Sequence, residues 1–145
     1  MKNEFEDYLS SIGISTTMLD TIRNKYKDLA TAADVEDFDE IFISEGISSE
    51  LIREYFSLWC FTNKLLCEAT ISDKKIGIYR LSDNISNLFI NEYNFDLITP
   101  SENSKLSLSI RRIDATVGIV LNSSGINCSK LLDVSKKYFV SNLNY

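Results

Sequence analysis

The sequence predicts an α+β protein: a helical part over residues 1–70, then a small antiparallel β-sheet closed by a C-terminal helix over residues 71–145. Three observations favour this division. Apolar residues recur at helical spacing in the first half, and short alternating segments broken by Asn, Ser, Asp and Gly follow from residue 71. The last segment then returns to helical spacing. We expect the two parts to share one core.

The first two predicted helices, 4–12 and 15–30, meet at Gly13. Glycine commonly ends a helix because it adopts the left-handed conformation without strain, and Ser15 is suited to cap the helix that follows. Each helix carries one apolar stripe, as expected when one face is buried. The stripe residues are Phe5, Tyr8, Leu9 and Ile12 in the first helix, and Leu19, Ile22, Tyr26 and Leu29 in the second.

Two further helices are predicted, over Ala33–Glu45 and Leu51–Cys67. The third has Asp34 as a candidate cap, and acidic residues crowd its first turn, where the helix dipole favours them. The fourth is the most apolar stretch of the chain, and its apolar residues cover about half of a helical wheel. A surface helix needs a narrower stripe. We therefore predict a central helix with several packing neighbours and with Trp59 buried.

The second half is predicted to contain five short strands without room for crossover helices, so the sheet is expected to be antiparallel. The clearest alternation lies in Lys105–Arg112, where three apolar residues point one way. A final helix is predicted over Cys128–Leu143. This order of elements is similar in outline to pleckstrin-homology-like barrels. The predicted strands are Lys75–Leu81, Ile85–Ile90, Phe95–Thr99, Leu106–Ile113 and Val117–Leu121.

The chain contains no histidine, which excludes Cys2His2 zinc sites and histidine acid–base catalysis. Cys60 and Cys67 are seven positions apart, about 10 Å along the predicted helix, too far for a disulfide. Cys128 is remote from both. We expect three buried thiols, no metal and no cofactor. With no apolar run near the ~20 residues that a membrane helix needs, and an acidic N-terminal segment, we expect a cytoplasmic protein.

Charge is unevenly distributed within a net charge of −6. Residues 1–70 contain fourteen acidic and six basic residues, whereas residues 71–145 contain seven acidic and nine basic residues. Such a split suggests that the halves differ in partner. Direct nucleic-acid binding is not expected, because the basic residues of the second half form no stripe.

The acidic run that follows the second helix is the most distinctive feature of the sequence. It does not fit a calcium-binding loop, because the sixth position holds Asp39 where such a loop needs glycine. It is either a solvated helix start or a docking surface for a basic protein. Phe61, on the polar side of the predicted fourth helix, is either covered by the β half or an exposed anchor. The predicted partner-binding residues are Asp34, Glu36, Asp37, Asp39, Glu40, Glu45 and Phe61.

Function is predicted from size, charge and missing catalytic motifs. The chain has no glycine-rich phosphate loop and no G-x-S-x-G nucleophile motif, so no catalytic residue is assigned. We expect a non-catalytic protein-binding protein, such as a small inhibitor, an immunity-type protein or an adaptor, that uses its acidic half. The alternatives are a small enzyme or enzyme subunit using carboxylates or cysteine, and an acidic mimic of nucleic acid.

Overall fold

A computed structural model of the chain describes residues 1–45, 56–71, 74–81, 85–96, 98–99, 101–112 and 118–143. The chain divides into two compact units, Met1–Tyr79 and Arg80–Tyr145. The described residues form three α-helices and seven strands in two antiparallel sheets. They contain no four-helix N-terminal part, so the predicted four-helix half is wrong.

The first two helices agree with the prediction. Helix α1 spans Asn3–Ser11 and α2 spans Thr16–Ala33. Gly13, between them, has φ +88°, a conformation that favours glycine. The Ser15 hydroxyl caps α2 by accepting a hydrogen bond from the Met18 N–H at 3.2 Å. The buried residues of the two helices are Phe5, Leu9, Ile22, Tyr26 and Leu29.

A four-stranded sheet replaces the predicted third and fourth helices. Its order is β1 (Glu40–Ser44), β2 (Ser57–Phe61), β3 (Leu65–Thr70) and β4 (Ile76–Arg80). Strand β1 takes the place of the second half of the predicted third helix, and the β2–β3 hairpin takes the place of the fourth from Ser57 onward. The start of that prediction, 51–55, lies outside the described residues. Strand β4 matches the predicted strand Lys75–Leu81.

Strand β2 lies within the predicted fourth helix, and that prediction is wrong because both faces of the strand are buried. Leu58 and Cys60 belong to the core cluster that α1 and α2 contribute to. Trp59 and Phe61 point to the opposite face and are buried as well, at 3% and 0% exposure. A strand buried on both faces is a continuous apolar run without alternation, which a short helix can also show.

The hairpin turn between β2 and β3 explains why residues 57–67 do not form one helix. The Thr62 N–H donates to the Leu65 carbonyl at 2.9 Å. The Thr62 hydroxyl accepts hydrogen bonds from the N–H groups of Lys64, at 3.1 Å, and Leu65, at 2.9 Å. Residues 62–65 therefore form a hairpin turn with Asn63 and Lys64 at its centre. It is held by the side chain of Thr62, one of the residue types that bond their own backbone in turns.

The second unit contains a three-stranded sheet of order β5 (Ile85–Asn94), β6 (Lys105–Arg112) and β7 (Ile119–Ser124). Helix α3 (Asn127–Val134) follows and continues through a π-helical turn, Ser135–Phe139. A 3₁₀ turn over Val140–Asn142 ends this segment. The predicted alternation in β6 is confirmed, since its buried residues are Leu106, Leu108 and Ile110.

Two predictions about the second half fail. The described part of Phe95–Thr99 is not a strand, because the Asp96 carboxylate accepts the Ile98 N–H at 2.9 Å and folds the backbone into a turn. The three described strands of this unit also form an open sheet, not a pleckstrin-homology-like barrel. Strand β4, expected beside them, belongs to the sheet of β1–β3 instead.

We expect Trp59→Ala to lower the free energy of unfolding by about 3–5 kcal/mol, because it leaves a large cavity on the second face of the sheet. Ile78→Ala is the control, since this strand residue is 42% exposed; its loss should be about 1 kcal/mol or less. Urea unfolding followed by circular dichroism measures both. Equal losses in the two variants would contradict the burial of Trp59.

Candidate functional site

The acidic residues singled out from the sequence lie mostly in the loop between α2 and β1, residues 34–39, here named the acidic loop. Helix α2 ends because Asp34 adopts the left-handed conformation, with φ 55° and ψ 49°. Aspartate tolerates this conformation better than most residues. The N–H groups of Asp34 and Val35 then bond the carbonyls of Thr31, at 3.2 Å, and Ala30, at 3.0 Å. The acidic run therefore follows the C-terminal end of α2 and does not begin a helix.

Tyr26 fixes the middle of the acidic loop to the core. Its hydroxyl donates to Asp37 Oδ1 and accepts the Phe38 N–H at 3.0 Å. Phe38 is fully buried, and its ring meets the Tyr26 ring edge-on with centroids 5.3 Å apart. The Asp37 carboxylate also accepts the Phe38 N–H, at 3.0 Å. Asp37 therefore holds the loop in place, and the loop backbone is anchored on a buried aromatic pair.

The end of the acidic loop is clamped to strand β2. The Asp39 N–H donates to the Phe61 carbonyl at 2.7 Å, and Glu40 lies opposite Phe61 in the strand register. The structure thus brings Phe61 beside two of the predicted acidic residues. Its side chain, however, has 0% exposure. Phe61 is a core residue and not an exposed anchor.

Four acidic residues of the loop are exposed: Asp34, Glu36, Asp37 and Asp39. The Asp37 carboxylate is bonded by the Tyr26 hydroxyl and the Phe38 N–H, which leaves the carboxylates of Asp34, Glu36 and Asp39. None of the three has a salt-bridge partner within the part of the chain that the structure describes. Arg23 shows the contrast, because it bonds both Glu6 and Asp20 on the helices. The loop therefore presents negative charge that no described cation neutralises.

The other two predicted acids, Glu40 and Glu45, are half-buried at the two ends of β1. Between them, the Tyr8 hydroxyl accepts the Ile43 N–H at 3.0 Å. Burial raises the pKa of Tyr8 well above its usual range; the hydrogen bond from Ile43 lowers it, and the charges of Glu45 and Glu40 raise it further. Tyr8 thus stays protonated. Glu40 and Glu45 belong to this local environment rather than to the exposed charge of the loop.

The three thiols are buried, as predicted. Burial raises the pKa of Cys67 to about 11, and burial followed by the charges of Cys67 and Asp37 raises the pKa of Cys60 well above 9.0. The thiolate is the nucleophilic form of cysteine. Both thiols are therefore protonated at neutral pH, as expected for structural cysteines. Among the residues that can be placed, no three His, Cys, Asp or Glu side chains come together to hold a metal ion.

The second unit carries a surface pocket of about 350 Å³ that the sequence did not reveal. Its walls come from the end of β5 and the following loop. The Asp96 carboxylate there accepts the Ile98 N–H and two bonds from Thr99, which lower its pKa. The asparagine and serine residues of this loop were the sequence signal for a polar pocket, but the same residue types are equally typical of turns. The lining residues are Tyr93, Asn94, Phe95, Asp96, Ser101, Asn103 and Ser104.

No protein-family model, curated protein or solved structure matches this chain. No helix in the described parts is both long enough and apolar enough to cross a membrane. The pocket of the second unit offers polar groups and one aspartate already bonded within its own turn, whereas the acidic loop offers unneutralised charge on an anchored backbone. The acidic loop is the better candidate site.

We expect Tyr26→Phe to loosen the acidic loop and to lower the free energy of unfolding by about 1–2 kcal/mol. The substitution leaves the Phe38 N–H without the hydroxyl and removes the donor to Asp37. Urea unfolding followed by Trp59 fluorescence measures the loss, and amide hydrogen exchange of residues 35–39 measures the loosening. Tyr93→Phe is the control, because Tyr93 is 53% exposed. Unchanged exchange in Tyr26→Phe would contradict the anchoring role.

Alkaline pH should destabilise the first unit. Cys60 and Cys67 keep their protons in the folded state above about pH 9, where the unfolded chain releases them. The contribution of the two thiols to the free energy of unfolding is fully present below pH 9. It is lost as the pH rises toward their pKa values in the folded state. The slope is about 1.4 kcal/mol per pH unit for each thiol. Unfolding in urea at several pH values between about 7 and 10.5, followed by the single tryptophan, measures it.

The matched variant for this pH series is Cys67→Ala. It removes one of the two thiols, so the slope above pH 9 should fall by about half while the variant retains Trp59 as the probe. A slope equal to that of the wild type would show that other groups cause the alkaline loss.

Proposed function

We propose that this protein is a non-catalytic binding protein whose acidic loop docks on a basic surface of a partner protein. One observation carries the proposal: three exposed carboxylates without a described cation partner stand on a backbone that Tyr26, Phe38 and β2 hold in place. A small inhibitor, an immunity-type protein or an adaptor in the cytoplasm is the class of protein that we infer.

Rigidity favours this function. A loop that is already ordered loses little conformational freedom on binding, so more of the interaction energy contributes to affinity. Two contacts provide that order: the buried Phe38 ring in the middle and the bond from Asp39 to Phe61 at the end. The backbone that carries Glu36 and Asp39 is then held in one arrangement, which favours a partner with matching cations.

The charge of the whole first unit acts in the same direction. Residues 1–79 contain fifteen acidic and eight basic residues, a net charge of −7. A field of one sign accelerates the encounter with an oppositely charged protein and weakens as ionic strength rises. The alternative of a cysteine enzyme receives less support, because burial keeps the thiols of Cys60 and Cys67 protonated at neutral pH.

The test compares two triple variants that change the net charge equally. The loop variant is Asp34→Asn, Glu36→Gln and Asp39→Asn; asparagine also tolerates the left-handed conformation at position 34. The control variant is Glu4→Gln, Asp7→Asn and Asp28→Asn, three exposed acids of α1 and α2. Both should keep the wild-type stability within about 0.5 kcal/mol, because exposed charges contribute little.

The wild-type chain is first used to capture the partner from the native host, and association rates are then measured with the purified partner. At low ionic strength the loop variant should associate at least about tenfold more slowly than the control variant. The difference should shrink near 0.5 M salt. Equal rates for the two variants would show that the acidic loop is merely solvated, and the proposal would then be abandoned.

A further inference from the structure

The register of the β2–β3 hairpin places two cysteines directly opposite each other. Cys60 pairs with Cys67, and residues opposite each other in an antiparallel pair project from the same face of the sheet. The helix prediction had placed them about 10 Å apart along an axis. The conclusion that they are too far apart for a disulfide is therefore wrong, because the segment between them turns back on itself.

Two backbone hydrogen bonds set the type of this pair. The Thr62 N–H bonds the Leu65 carbonyl at 2.9 Å, and the Ile71 N–H bonds the Phe56 carbonyl at 3.2 Å. Hydrogen-bonded and non-hydrogen-bonded pairs alternate along an antiparallel ladder, so Cys60 and Cys67, two steps from the turn, form a hydrogen-bonded pair. Pairs of this type have Cα atoms about 5.5 Å apart, within the range of about 4.4–6.8 Å that disulfides span.

Both sulfur atoms lie in the apolar core of the first unit. Cys60 and Cys67 have 0% exposure and share a core cluster with Leu58 and Ala69 on the same face of the hairpin. Neither takes part in a disulfide in this structure. A zinc site would need about four ligands, and no third metal-binding side chain among the described residues joins the pair. The chemistry that two neighbouring thiols retain is oxidation to a disulfide.

We propose that Cys60 and Cys67 form a reversible intrachain disulfide when the protein meets a small-molecule disulfide such as oxidised glutathione. One cysteine thiolate attacks a glutathione sulfur, so that a mixed disulfide forms and the first glutathione thiolate leaves. The second cysteine attacks the protein sulfur of that mixed disulfide and expels the second glutathione. Two protein thiols become one disulfide, and the two protons go to the two glutathione thiolates.

The geometry makes this disulfide easy to reduce again. Cβ atoms in a hydrogen-bonded pair are about 5.5 Å apart, whereas a relaxed disulfide holds them about 3.5–4.5 Å apart. The strands at Cys60 and Cys67 must therefore approach each other, and strained disulfides have more oxidising potentials. Because the thiols are buried, glutathione reaches them only when the hairpin opens. Oxidation should be slow in buffer and faster in urea below the unfolding transition.

The test uses the full chain in glutathione buffers of graded oxidised-to-reduced ratio. Samples are quenched in acid, unfolded, alkylated with iodoacetamide and weighed by mass spectrometry. The reduced protein takes three carbamidomethyl groups, one for each cysteine of the sequence. In oxidising buffer the expected product takes one, and its peptide map joins residues 60 and 67 and places the single group on Cys128. Excess reduced glutathione should restore all three.

Two variants and one reference make the outcome decisive. Cys128→Ala should still lose both of its alkylation sites on oxidation, whereas Cys67→Ala should form no intrachain disulfide. The wild-type peptide map decides the question even if a variant fails to fold. The wild-type chain oxidised in 6 M urea shows which buffers are strong enough to act. The samples without urea are incubated until the product ratio no longer changes. Three alkylated cysteines at that point, a bond to Cys128, or mixed glutathione adducts alone would overturn the proposal.

Discussion

Burial of strand β2 on both faces is the constraint on which the first unit depends. Its neighbours β1 and β3 pair with it on either side, and its residues Leu58 and Cys60 meet the core that α1 and α2 complete. The carbonyl of Phe61 holds the end of the acidic loop, and Cys60 lies opposite Cys67. The candidate binding surface and the proposed oxidation site are thus both defined by one five-residue strand.

Two tyrosine hydroxyls connect the helices of this unit to its sheet. Tyr26 bonds the backbone at Phe38 before β1 begins, and Tyr8 bonds the N–H of Ile43 within it. Because β1 is at the edge of the sheet that the described residues form, its outward N–H groups would otherwise be open to another strand. The Tyr8 hydroxyl accepts the N–H of Ile43, and because the hydroxyl is uncharged, no charge has to be buried there. This arrangement explains why apolar helix stripes contain tyrosine at positions 8 and 26.

Charge and packing have separate roles in the acidic loop. Phe38 is buried, and the exposed Asp37 bonds the Tyr26 hydroxyl and the Phe38 N–H, so both fix the backbone. Asp34, Glu36 and Asp39 are exposed and carry the field. One of the four acids in this segment, Asp37, is already bonded within the loop, so the net charge of the run overstates what is available to a partner. The second unit lacks this excess of charge: residues 80–145 contain six acidic and seven basic residues. Recognition of a basic partner therefore favours the first unit.

Local sequence determined the elements whose signals are local. Gly13 and Ser15 set the boundary between α1 and α2, and the alternation of Leu106, Leu108 and Ile110 set strand β6. Composition likewise showed that the negative charge is concentrated in the first half.

Tertiary structure decided the rest. Leu58–Phe61 is apolar at every position, which suits a helix with a wide stripe as well as a strand covered on both sides. Only pairing with β1 and β3 resolves that ambiguity, because strand hydrogen bonds join residues that are distant in the chain. The same long-range pairing buried Phe61, turned the acidic run from a helix into a loop, and placed Cys60 opposite Cys67.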